Sequence, residues 1–224
     1  MATIVTAASS NHFKSAKQFL RSCPKDTAVI FYDIGLLEKE ATDLQSEFPH
    51  IQYRVLDFSL LPDFAQLTAP YAGAYAWKPY IVNEVYQEIK DGILIWCDAG
   101  NKIVNLSALC DMIKRSGIYS PQSSYSVADL THPDCLQLMK VPQKCWTMPM
   151  RNAAIIGVVC GDDIIRLFLS DWKDRSMRKE VISPETANHK NHRWDQSVLT
   201  CLMYNYGVMC SYDRVGVLIH QDCD

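Results

Sequence analysis

Apolar and polar positions along the chain follow two alternating periods. Short runs of β-branched and aromatic residues at 3–7, 28–32, 51–56, 93–97, 153–159 and 215–219 are separated by longer stretches with apolar residues every three or four positions. The runs predict strands and the stretches amphipathic helices. Their alternation predicts an α/β fold, a Rossmann-like domain with a mainly parallel central sheet flanked by helices. The run 93–97 is the most apolar and is expected at the sheet centre, whereas 51–56 alternates and suits an edge. Ser9-Ser10-Asn11 is placed to cap a helix towards Arg21. Further helices are expected over 36–46, over 75–90 with Pro79 in the first turn, and over 162–172. A last helix opens at Asp195, where Val198, Leu199, Leu202, Met203 and Tyr206 keep helical spacing.

Two segments break the pattern. Residues 116–150 hold four of the ten prolines and little periodicity, as an irregular excursion would, and 173–193 reads as a basic, mobile loop with two histidines. No repeat or linker divides the chain, so residues 1–224 are expected to form one domain, with 1–115 resembling a nucleotide-binding α/β half. Composition narrows the function classes: 48% hydrophobic, 21% charged and a net charge of -3 fit a globular protein and disfavour a clamp on nucleic acid. No apolar run reaches the ~20 residues of a membrane span, and the N-terminus lacks the features of a secretory leader. The nine cysteines show no two-residue spacing of a metal knuckle or redox motif, which points to reduced thiols and a cytoplasmic protein.

Three short constellations could carry chemistry. Asp98-Ala99-Gly100 follows the most apolar strand, where a carboxylate can meet a hard cation or a ribose hydroxyl and a glycine lets a phosphate approach; an ordinary Asp-Gly turn has the same residues. In Trp77-Lys78-Pro79, Trp77 suits the core and Lys78, pointing outward in a first helical turn, suits either a phosphate or plain solvent. His192-Arg193-Trp194-Asp195-Gln196 puts Asp195 at a helix N-cap within a dense set of donors, acceptors and an aromatic face. Sugar recognition uses such a set, and Asp195 there could act as a general base. Gly161-Asp162-Asp163 offers paired acids, but at a helix start, where acids favour the dipole, and His12 and His132 read as surface or loop residues. No G-x-G-x-x-G or P-loop pattern occurs.

In this order and spacing, together with Thr3–Ser9 and Tyr32-Asp33-Ile34-Gly35-Leu36, the motifs resemble glycosyltransferases of the GT-A type, the nucleotide-diphospho-sugar transferase fold, over nearly the whole chain. The resemblance implies a sugar transferase using a nucleotide-diphospho-sugar donor, a UDP-sugar by preference, and a glycan or protein hydroxyl as acceptor. Residues 116–224 would then form the acceptor- and sugar-binding half. It implies Asp195 as the catalytic base and Thr6, Ala7, Ala8, Lys78, Asp98, Gly100, Asn152, Arg193 and Gln196 around nucleotide and donor. Asp98 would be the first carboxylate of a metal-binding D-x-D motif, for Mn2+ or Mg2+, but Gly100 replaces the second. His220 or Asp222 would be a late ligand, or Lys78, Lys102 or Arg193 would neutralise the diphosphate without metal. Two alternatives remain open: a degenerate fold that only binds nucleotide or glycan, and an S-adenosylmethionine-dependent methyltransferase using Asp98 on a ribose.

Overall fold

The computed structural model describes residues 1–68, 71–208 and 214–223. In chain order the strands are β1 (Ala2–Ala8), β2 (Ala28–Asp33), β3 (Gln52–Val55), β4 (Leu67–Thr68), β5 (Tyr71–Ala72), β6 (Ile93–Cys97), β7 (Lys102–Ile103), β8 (Ile118–Tyr119), β9 (Gln122–Ser126), β10 (Pro149–Arg151), β11 (Ile155–Val159) and β12 (Val217–Leu218). The α-helices are α1 (Phe13–Ser22), α2 (Glu38–Glu47), α3 (Trp77–Glu88), α4 (Leu106–Ser116), α5 (Pro133–Leu138), α6 (Asp163–Ser176), α7 (Lys179–Ile182) and α8 (Trp194–Asn205).

Six strands make the central sheet, in the order β3-β2-β1-β6-β11-β8. The first four run parallel, while β11 pairs antiparallel with both β6 and β8. All five residues of β6 are buried at the centre and β3 lies at an edge, as their apolar patterns predict. Alternation along β1 divides the core: Val5 and Ala7 face a layer containing Trp96, Ile81, Phe168 and Leu199, and Ile4 and Ala8 face one containing Phe19, Leu44, Ile95 and Leu109. Helices α3, α6 and α8 thus cover one face and α1, α2 and α4 the other.

Several segments depart from the sequence expectation. Segment 116–150 supplies β8 at the sheet edge, the ladder of β9 with β10, and helix α5; β8 and β10 are too short to leave a period, β9 is polar along its length, and all three exist because they pair across the fold. The basic 173–193 stretch is no free loop, since α6 runs on to Ser176, α7 follows, and Val181, Ile182 and His192 are fully buried. His192 Nε2 donates to the Ile182 carbonyl at 2.9 Å and Nδ1 accepts from His132 N at 3.2 Å. Burial pushes its pKa down to about 4, so the ring is neutral. The last strand, expected over 215–219, is only β12, and it pairs with β7 off the main sheet. Near the N-terminus, residues 10–12 form a 3-10 turn, so α1 starts at Phe13 with no side-chain cap bond. Asp162 does cap α6, accepting from Ile164 N and Ile165 N. The eight described cysteines are all free, and Cys210 lies outside the described residues.

A sharp corner precedes α3. Gly73, Ala74 and Tyr75 take φ of 59°, 51° and 57°, and a Cβ on Gly73 would run into the Ala65 carbonyl, with the carbonyl carbon only 2.6 Å away. The obstacle is backbone and cannot swing aside. Gly73→Ala is therefore expected to cost about 2 kcal/mol or more in urea unfolding, whereas Gly207→Ala, also at positive φ but with open space around it, should cost about 1 kcal/mol.

Candidate active site

The chain leaves β1 outward through β2 and β3 and returns to β6 on the other side of β1. Strand order reverses there, and ligands of open α/β sheets gather outside the carboxyl ends of strands at such a point. A cavity of about 440 Å³ opens there, lined by Ala7 and Ala8 from the end of β1 and by Asp98, Ala99 and Gly100 after β6. Because β11 is antiparallel to β6, with Ile155 opposite Cys97, residues 152–154 reach the same rim.

At the cavity floor the first turns of α3 and α8 meet the end of β6. Lys78 and Asp195, each the second residue of its helix, are both only 4% exposed. The Lys78 ammonium stands 3.0 Å from Asp98 Oδ1 and 3.1 Å from Asp195 Oδ2, and donates to the Ala153 carbonyl at 3.3 Å. It also lies 5.9 Å from the Tyr75 ring centre and 5.7 Å from that of Trp96. Burial works against the ammonium's charge, but Asp195 and then Asp98 outweigh it and hold the Lys78 pKa above its ordinary value. Burial raises the Asp195 pKa to about 6, with Lys78 pulling it down and Asp98 pushing it up, so both groups are ionised at neutral pH. Asp98 keeps a partly exposed side chain, and its Oδ1 also accepts from Trp96 Nε1 at 2.7 Å.

Two sequence expectations change here. Lys78 does not point into solvent: the left-handed corner at residues 73–75 turns the first residues of α3 inward, onto the carboxylates. Asp195 is not the N-cap. The chain turns at Trp194, with φ 44°, so that Arg193 takes the cap position and Ser197 Oγ accepts its N–H at 2.9 Å. Asp195 thus sits in the first turn of α8 rather than at its cap, with Oδ2 at Lys78, while Trp172 Nε1 donates to its carbonyl at 3.1 Å.

The other expected residues divide. Ala7, Ala8, Gly100, Asn152, Arg193, Gln196 and His220 line the cavity. Asn152 Oδ1 accepts from Ala154 N at 2.8 Å and Gln196 Oε1 from Ala153 N at 3.4 Å, so both amides fix the rim. Thr6 is fully buried within β1 and does not line the cavity, and Lys102 lies in β7, outside it. His12 is exposed in the turn after β1, as expected of a surface or loop residue, and it also lines the cavity wall, with Nδ1 3.7 Å from Asp222 Oδ1. His132 caps α5. Asn11, Asn101 and His189 also reach the wall, although no local motif marks them. Trp194 bridges the two helix starts, its ring 4.4 Å from His189 and 6.1 Å from Tyr75.

Whether the cavity suits a divalent cation turns on its oxygen donors. Asp98 is one, and Asp222 lines the same cavity. Among the described residues no group of three or more His, Cys, Asp or Glu side chains is assembled to hold an ion unaided. Two carboxylates suit a hard cation whose shell is completed by substrate phosphates and water.

No protein-family model matches the sequence, and a comparison with curated proteins gave no match. Solved structures do match. Mouse xyloside xylosyltransferase 1 in its apo form superposes with a TM-score of 0.50 at 10% identity, covering 93% of this chain and 82% of that one. The galactosyltransferase LgtC, in complex with donor and acceptor sugar analogues, gives 0.52 at 16% identity over 93% and 72%. Core-mannan synthase A from Aspergillus fumigatus, in an Mn/GDP form, gives 0.54 at 8% identity over 91% and 69%. With a six-stranded, mainly parallel sheet, a crevice between β1 and β6 and these neighbours, the chain has the fold of GT-A-type glycosyltransferases.

Proposed function

We propose that this protein is a glycosyltransferase that moves a sugar from a nucleotide-diphosphate donor to a hydroxyl of a glycan or protein. The observation that carries the proposal is the buried Asp98–Lys78–Asp195 array on the floor of the cavity at the β1–β6 switch point. A buried carboxylate whose pKa is tuned upward by its surroundings is a mark of acid–base chemistry. The end of β1, with Ala7 and Ala8, receives the nucleoside, a uridine by preference, and Arg193 meets the diphosphate. Gln196 and Asn152 fix the rim against the sugar. The bond between the anomeric carbon and the phosphate oxygen breaks, its electron pair leaving with the diphosphate. The acceptor oxygen bonds to the anomeric carbon, and its proton passes to an Asp195 carboxylate oxygen. A divalent cation, Mn2+ or Mg2+, when bound at Asp98, would offset the charge of the departing diphosphate. Lys78 keeps Asp195 ionised and oriented.

The fold of the neighbours supports this reading, as does the presence in one of them of Mn and GDP. Among the described residues no helix is long and apolar enough to cross a membrane. The test is thermal shift with UDP, GDP and S-adenosylmethionine, followed by assay of nucleoside diphosphate release from nucleotide sugars. Stabilisation by a nucleoside diphosphate with release from a matching sugar donor is expected. Nucleotide binding without turnover on any donor would favour the degenerate binding protein, and stabilisation by S-adenosylmethionine alone would overturn the transferase reading.

A further inference from the structure

A series of rings runs along one wall of the cavity, from the core to the mouth. Trp96 and Trp77, both buried, lie 6.1 Å apart; Tyr75 is 6.1 Å from Trp77 and 6.1 Å from Trp194; and Trp194 is 4.4 Å from the exposed His189. Tyr75, Trp77, Trp194 and His189 line the cavity, and Tyr75 and Trp194 are only half-buried there. These two middle rings are held at a cost. Tyr75 and Trp194 have φ of 57° and 44°, a region that bulky side chains rarely occupy, and neither α3 nor α8 begins with a side-chain cap bond that would explain its turn locally. Strain maintained at two facing turns is a mark of function rather than of packing alone. The polar edge of Trp194 is an independent sign. The other four tryptophans each donate their indole N–H to a protein oxygen: Trp77 to Ala72 O, Trp96 to Asp98 Oδ1, Trp146 to Val141 O and Trp172 to Asp195 O. Among the described residues Trp194 Nε1 has no acceptor, although its ring is half-buried.

We propose that Tyr75 and Trp194 form the platform on which the acceptor lies, and that this acceptor is a pyranose ring of a glycan, not a hydroxyl of a protein chain. This rests on the transferase reading of the cavity and deepens it. Position decides which substrate the rings meet. The hydroxyl that gives its proton to Asp195 must approach that carboxylate; Trp194 is its neighbour in the chain, and the Tyr75 ring centre is 5.9 Å from the Lys78 ammonium paired with it. Chemistry decides what lies there. A pyranose carries a face of C–H groups that packs on a flat ring, with hydroxyls around its rim, and Trp194 Nε1 is a donor for such a rim. A serine or threonine in a peptide has no flat apolar face to offer. Tyr75 comes from the nucleotide-binding half of the chain, so acceptor recognition is shared between the two halves.

The test uses methyl β-galactopyranoside, methyl β-glucopyranoside and methyl α-mannopyranoside beside a serine- and threonine-bearing peptide, with the nucleotide sugar that the protein cleaves. In saturation-transfer NMR with irradiation of the protein's aromatic protons, at least one pyranoside should receive magnetisation chiefly at the C–H protons of one ring face, and it should outperform the peptide as acceptor. Trp194→Leu, which keeps apolar bulk but loses the flat ring and its N–H, should raise the KM for that pyranoside about tenfold or more while nucleotide affinity and melting temperature stay close to wild type. Trp194→Phe, which keeps a ring, should recover part of the loss, which a merely space-filling role would not produce. If the leucine variant fails to fold, the wild-type NMR contacts and the phenylalanine variant still decide. An unchanged KM in Trp194→Leu, or a loss of nucleotide affinity in place of acceptor affinity, overturns the proposal. Donor cleavage with no contact to any of the three pyranosides, or with transfer to the peptide alone, overturns it and leaves the transferase reading standing. A wild type that releases no nucleoside diphosphate from any nucleotide sugar overturns the transferase reading first, and this proposal with it.

Discussion

Replacing Lys78 by Met is expected to destabilise the protein by about 3–5 kcal/mol, because it removes the cation from between two carboxylates, one of them buried. The methionine fills the stem's volume, so the loss is electrostatic. Without the ammonium, the like charge of Asp98 and burial both push the Asp195 pKa further above its unfolded value. A carboxylate whose folded pKa is raised takes up its proton earlier in the folded state than in the unfolded one. The cost of Lys78→Met should accordingly be largest above the raised pKa and shrink as pH falls through it, which is the sign expected of an uncompensated anion. Urea unfolding at several pH values measures this directly. The double variant Lys78→Met/Asp195→Asn should recover part of the loss. A cost below about 1 kcal/mol would mean that water or another group neutralises the pair, and the array would lose its meaning.

Asp195→Asn should lower kcat by about 10²- to 10⁴-fold while leaving nucleotide affinity close to wild type, since the variant keeps the shape of the floor but cannot accept a proton. In wild type, kcat should rise with pH through about 6, the value to which burial foremost brings Asp195, because only the ionised form takes the acceptor proton. The residual activity of Asp195→Asn should lack that limb. Lys78 stays charged through Asp98, so the variant should not suffer the stability loss of Lys78→Met. Steady-state rates over a pH series, with nucleotide affinity from calorimetry, separate the two effects. Wild-type turnover in Asp195→Asn would remove Asp195 from the chemistry.

Much of this was legible in single residues, and little of it in their arrangement. Five consecutive apolar residues put β6 at the centre, and the mixed period of β3 put it at the edge, because burial on both faces or one writes itself into sequence. Asp98, Lys78 and Asp195 stood out as polar residues where apolar elements begin or end. Their meeting did not, since nothing near Lys78 announces that its partners come from the end of β6 and the start of α8. The N-cap expected at Asp195 failed because Trp194, a residue with no preference for positive φ, is held in that region by tertiary packing. His12 gave no signal at all; it reaches the wall only because the loop after β1 faces the segment carrying Asp222.

The attachment of that segment has a kinetic side. Its own ladder is only the two-residue pairing of β12 with β7, and Leu218 is exposed, while β1 and β6 sit in the middle of a six-stranded sheet. Cooperative opening events draw on the least protected parts of a fold, so residues 217–222 should peel away far more often than the sheet unravels. Their amides should exchange with deuterium well ahead of those of β1 and β6, and a nucleotide bound in the cavity that His220 and Asp222 line should slow them selectively. On the proposed reading of the cavity, this lightly paired wall is the part expected to move when nucleotide enters or leaves.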